Sequence, residues 1–120
     1  MKNQSINITN STVGDVNQVA ADSINNSFNK VAQSNAPDEL KEQLTKLSEA
    51  VKEMVQRLPE SDQKKAAQDL ETLTDEALSE EPRPKWYELS AEGLIDAAKT
   101  VGEIAAPVIT AAKAVLAFLA

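Results

Sequence analysis

The chemistry open to this chain is set first by the residues it lacks. With no His and no Cys among 120 residues, acyl transfer could draw only on a Ser or Thr hydroxyl paired with Lys or a carboxylate, and no G-x-S-x-G element is present. The same absences remove the usual zinc ligands and any disulfide framework. Gly stands only at positions 14, 93 and 102, which leaves no Gly-rich loop to cradle a phosphate. The carboxylate pairs Asp75-Glu76 and Glu80-Glu81 could touch a divalent cation. A calcium loop, however, alternates Asp or Asn around a central Gly, and that pattern is missing; adjacent acids near a helix end are ordinarily solvated. The expectation is therefore a chain with no catalytic residues, no cofactor and no metal, working through contact rather than reaction.

Charge narrows the class of partner. The net charge is −7 with a pI near 4.6, so a phosphate backbone finds no clustered Lys and Arg, and nucleic acid is not expected as a partner. Hydrophobic residues make up 42% of the chain but aromatics only 3%, so the core must be built from Leu, Val, Ile and Ala. The opening MKNQSINITNST is polar and lacks the apolar run of a secretory signal, from which a cytoplasmic location is expected. Four Asn-x-Ser/Thr sequons begin at Asn3, Asn7, Asn10 and Asn25, and a segment this rich in Asn, Ser and Thr produces them by chance.

Residues 1–35 differ in kind from the rest. Isolated apolar residues, Ile6, Ile8, Val13, Val16, Val19, Ile24 and Phe28, stand among eight Asn and many Ser and Thr. Ile6 and Ile8 alternate with polar neighbours, Val13-Gly14-Asp15-Val16 sets turn chemistry beside β-branched residues, and Ser5-Ile6-Asn7 recurs as Ser23-Ile24-Asn25. This reads as short strands. Strands so short and polar cannot bury enough surface within one chain, so the seven apolar residues are expected to pair between copies as an oligomer interface.

A helical part follows over 36–120. Leu40, Leu44, Leu47, Val51, Met54 and Leu58 are spaced 4, 3, 4, 3 and 4, the seam of a helix that starts at Pro37 with Asp38 and Glu39 in its first turn and stops before Pro59. A second helix is expected from a Ser61 cap to about Ser79, with Ala66, Leu70, Leu73 and Ala77 on its seam, making a hairpin over 36–81. Pro82-Arg83-Pro84 and the adjoining Trp86-Tyr87 read as a stiff connector over 82–89. Ser90 would then cap a third helix over 90–120, bent near Gly102 and Pro107. The fold class expected is mainly α: a three-helix bundle with a strand-forming N-terminal segment that pairs between chains.

That third helix would be apolar around most of its circumference, with Asp96, Lys99, Glu103, Thr110 and Lys113 forming one narrow polar line. Its cover could be the other helices, further copies or a lipid surface. Val108, Ile109, Val115, Leu116, Phe118 and Leu119 are the residues expected to meet a membrane or a partner. Against a span, residues 104–120 are at the short limit and Lys113 falls within them.

The layout also resembles a known class. A Val-Gly-Asp-Val-Asn-Gln core at Val13 to Gln18, a charged helical hairpin and a Ser-Ala-Glu-Gly-Leu-Ile-Asp-Ala-Ala-Lys helix at Ser90 to Lys99 resemble small accessory modules of bacterial immune-signalling and NTPase-linked conflict proteins. The resemblance implies self-association through the strand-rich part and an adaptor or effector role for the helical part, with a second defence-system protein as a partner. Two functions stand as expectations. One is a non-enzymatic homo-oligomeric assembly module in antiphage signalling; the other is a membrane-perturbing, pore-forming effector acting through the C-terminal helix at the inner membrane.

Overall fold

Three prolines decide where the helices of this bundle begin. Pro37 (φ −57°, ψ 146°) and Pro59 (φ −58°, ψ 155°) hold extended backbone immediately before two helices, and Pro84 occupies the first turn of a third, where its missing N–H costs nothing. The computed structural model describes residues 18–119. They form α1 (Gln18–Gln33), α2 (Asp38–Val55), α3 (Glu60–Leu78), α4 (Pro84–Val101), a 3₁₀ turn (Glu103–Ala105) and α5 (Ala106–Leu119), with no strand among the described residues. The helical bundle expected from the seams is present; its helices number five rather than three.

Four boundaries differ from expectation for identifiable reasons. Residues 18–33, assigned above to the strand-forming segment, are helix α1: Ala20, Ile24, Ser27 and Val31 fall at spacings of 4, 3 and 4 and are all buried. That seam was hidden by its small and polar members. The single C-terminal helix is two, because Gly102 takes φ 105° and ψ −153°, which ends α4 outright instead of bending it. Ser61 and Ser90 do not cap helices. α3 starts at Glu60 after Pro59, and Ser90 lies inside α4, where its buried hydroxyl donates to the carbonyls of Trp86 (2.8 Å) and Tyr87 (3.2 Å). The connector over 82–89 is likewise mostly the first turns of α4.

Packing places α3 near the centre. Its buried residues, among them Ala66, Ala67, Leu70, Leu73, Thr74 and Ala77, cover more than one stripe, and α3 packs against α1 on one side and α4 on the other. The α2 seam meets α5, α1 and α3, while α5 closes the bundle by also packing on α4. Leu40, Leu44, Leu47, Val51, Met54 and Leu58 are all buried, the first five at 3% exposure or less. Buried Gln63 donates from Nε2 to the carbonyl of Leu58 (3.0 Å), which ties α3 to the turn leaving α2.

The α3–α4 turn is held by one ion pair. The Arg83 guanidinium grips the Glu76 carboxylate through Nε (3.1 and 3.2 Å) and Nη2, and the Arg83 backbone N–H donates to Glu76 Oε1 at 3.0 Å. Hydrogen bonds from the Arg83 side chain and backbone hold the Glu76 carboxyl below its ordinary value. A carboxylate depressed on folding stabilises the fold fully above its unfolded value and loses that contribution as pH falls through the lower folded one. The thermal stability of the wild type is therefore expected to fall on acidification below about pH 4.3, the ordinary glutamate value, more steeply than that of Glu76→Gln. Equal acid slopes in the two proteins would remove Glu76 from this role.

Candidate interaction surface

The residues expected at an interface divide by location. Ile6, Ile8, Val13 and Val16, and the strand pairing expected of them, lie outside the described residues. Val19 is 61% exposed at the start of α1, Phe28 is half-buried against the core, and Ile24 is 2% exposed, so Ile24 packs within its own chain and not across copies. In α5, Val108 and Val115 are fully buried between α2 and α4, and Ile109, Leu116 and Leu119 are half-buried on the same core. Phe118 alone of that group reaches the surface, at 38% exposure. No helix among the described residues is long and apolar enough to cross a membrane.

A hydroxyl does meet a carboxylate here: Ser23 Oγ donates to Glu71 Oε1 (3.1 Å), and Glu71 Oε2 in turn accepts from Lys30 Nζ (3.1 Å). Two Ser-x-x-Lys spacings occur, at Ser27–Lys30 and Ser61–Lys64. Ser27 is sealed in the core with its hydroxyl on the Ser23 carbonyl (3.3 Å), while Lys30 Nζ reaches outward to Glu71 (3.1 Å) and Asp75 (2.9 Å). Burial alone would lower the Lys30 ammonium; the bonds to Asp75 and Glu71 outweigh it and hold Lys30 above its ordinary value, as a cation with no basic lone pair. Ser61 and Lys64 are both exposed on the first turn of α3. No group of three acidic side chains that could hold a metal ion exists among the described residues.

Two concavities among the described residues bear on function. A pocket of about 250 Å³ between α3 and α4 is lined by Asp62, Lys65, Asp69, Gly93, Asp96 and Thr100. Its geometry rests on the absent side chain of Gly93: a Cβ built there would stand 2.9 Å from Asp69 Cγ and collide with Oδ2. Burial pushes the Asp69 carboxyl up, opposed by the hydrogen bond from Lys65 Nζ at 2.9 Å. Gly93→Ala is therefore expected to destabilise by roughly 1 kcal/mol, as Asp69 is driven off Lys65, whereas in an Asp69→Ala background the same change should stabilise by a few tenths to about 1 kcal/mol through helix propensity. Chemical denaturation of the four proteins measures this; additive effects would rule out the contact as the cause. The second concavity is an open groove of about 1,030 Å³ between α2 and α5, with Lys46, Glu49, Glu53 and Arg57 on one wall and Ala106, Pro107, Thr110 and Ala114 on the other. Its mixed charges and small residues offer a surface for contact, without convergent acid, base and nucleophile.

The exposed apolar side chains are more informative. Besides Val19 they are Trp86 (45%) and Leu89 (52%) on α4, Ile104 (54%) in the 3₁₀ turn, and Phe118 on α5. α4 and α5 pack together across a four-residue link, so they run antiparallel and the end of α5 returns beside the start of α4. Phe118 thus belongs to the same end of the bundle as Trp86 and Leu89. The sequence reading placed Trp86 in a connector and passed over Leu89; the signal for both was their position off the buried seam of Tyr87, Ala91, Leu94 and Ala98, Leu89 opposite it and Trp86 at its side. No family model, no curated protein and no solved structure matches this chain.

Proposed function

We propose that this chain is a non-enzymatic, homo-oligomeric assembly module. The observation that carries the reading is the outward exposure of Trp86 and Leu89, three residues apart on α4: neighbouring large apolar side chains on a surface mark a contact site, and Trp is among the residues most enriched where contacts are strong. In this reading Ile6, Ile8, Val13 and Val16 add a second contact by pairing between copies as short strands, and the resemblance to bacterial immune-signalling modules makes another protein of such a system the further partner. A membrane-perturbing action is less favoured, since α5 would have to withdraw Val108, Ala112 and Val115 from full burial against α2 and α4.

Light scattering on the purified chain tests the reading. The full chain is expected to exceed its monomer mass of 12.9 kDa, and deletion of residues 1–17 is expected to reduce it to a smaller assembly. A mass of 12.9 kDa at every concentration would overturn the proposal.

A further inference from the structure

We propose that the outward face of α4 docks on the same face of a second copy of this chain, antiparallel and centred on Leu89. This rests on the homo-oligomer reading above and names the surface and the geometry that carry it. Lys85, Leu89, Glu92 and Asp96 follow one another at spacings of four, three and four, so they form one stripe along the helix. All four are exposed, on the side of α4 opposite its buried seam. At its middle the stripe is apolar, with Leu89 flanked by Trp86 one turn earlier; on the stripe Lys85 precedes Leu89 and Glu92 and Asp96 follow it, and the exposed Glu88 stands beside it.

This order of charge selects both the partner and the direction. When a second stripe is turned end over end about Leu89, Lys85, four residues before the centre, comes level with the other copy's Glu92, three residues after it. The mismatch of one residue is about 1.5 Å of helical rise, well within the reach of a Lys side chain. Two-fold symmetry repeats the pair on the other side of Leu89, as an isologous contact requires. In a parallel arrangement Lys85 would face Lys85 and Glu92 would face Glu92. The face therefore attracts itself in one orientation and repels itself in the other.

Trp86 supplies a rigid anchor beside the centre. The Arg83 guanidinium and the Lys85 ammonium each stand 5.7 Å from its ring centroid, which holds the indole at the surface next to Leu89. A single helix-on-helix contact is small among protein interfaces, so the dimer forms and dissociates with concentration.

Charge reversal separates this contact from any structural role of the same residues. Lys85→Glu and Glu92→Lys each place like charges at both ends of the contact, and each alone is expected to weaken the dimer at least about tenfold in sedimentation equilibrium, with an unchanged helical circular-dichroism spectrum. Mixing the two variants joins one chain's new acid to the other's new base and should regenerate the dimer as a heterodimer. The double variant K85E/E92K should likewise recover self-association, and Leu89→Asp should abolish it. Single variants that dimerise like the wild type, or a mixture that stays monomeric, would overturn the proposal. The chain lacking residues 1–17 keeps this outcome distinct from the wider reading. A shortened chain that still dimerises and is split by K85E supports the α4 contact; one that assembles only with residues 1–17 and ignores both charge reversals overturns it while leaving self-association standing. A full chain that is monomeric throughout overturns both.

Discussion

Leu47→Ala is expected to lower the unfolding free energy by about 2–5 kcal/mol, as measured by urea denaturation. Leu47 has no exposed surface, midway along the α2 seam between Leu44 and Val51, which are equally closed. Truncation removes buried carbon and leaves a cavity whose walls belong to several helices, so no single side chain can move to fill it. The effect is large here because the chain has few large core residues: much of what surrounds the seam is Ala, including Ala66, Ala67, Ala91, Ala98 and Ala112, each of which buries little area. Against the 5–15 kcal/mol that stabilises a typical domain, the loss is about a third at the middle of both ranges, and the melting temperature should fall by on the order of 10 °C. Lys46→Ala, one residue away and paired only with Glu42 at the exposed surface (3.0 Å), should change stability by less than about 0.5 kcal/mol. A Leu47→Ala loss below about 1 kcal/mol would show that the α2 seam is not closed in solution.

The second large effect concerns the link between α4 and α5. Gly102 adopts φ 105° and ψ −153°, a region essentially confined to Gly, and a Cβ added there would meet nothing within 4 Å. Gly102→Ala should therefore cost about 1–3 kcal/mol through backbone strain alone. The mirror image makes the prediction specific: D-alanine at this position, introduced by chemical ligation, has the mirrored conformation in its ordinary β region and should restore stability to near wild type. If L-alanine were tolerated as well as D-alanine, the link would have another conformation. The link folds α5 back along α4 and so brings Phe118 to the end of the bundle where Trp86 and Leu89 are exposed.

Gly102 and Gly93 show how differently one residue type can be required. At 102 the backbone angle demands Gly in open space; at 93 the backbone is ordinary helix and the demand comes from Asp69 on a neighbouring helix. The first was visible in the sequence as an interruption near Pro107. The second could not be, since nothing local reports that α3 will lay a carboxylate across that position.

The same division runs through the whole chain. By itself the sequence determined the helical class of fold, the seams of α2 and α3 and the start of α2, because Leu, Val and Met at 4- and 3-residue spacings, with prolines between, have one economical solution in water. It also determined the shortage of chemical groups, since composition is independent of folding. Only the tertiary structure decided that residues 18–33 are a helix: Ser27 and its Asn-rich neighbours have weak local preference, and the conformation is chosen by the site that α2 and α3 offer to Ile24 and Val31. Only packing, too, decided which apolar residues of the C-terminal part are core and which are surface. Periodicity separates the faces of one helix, but which face is covered depends on where the other helices lie, and so Val108 and Val115 are closed inside while Trp86, Leu89 and Phe118 face outward.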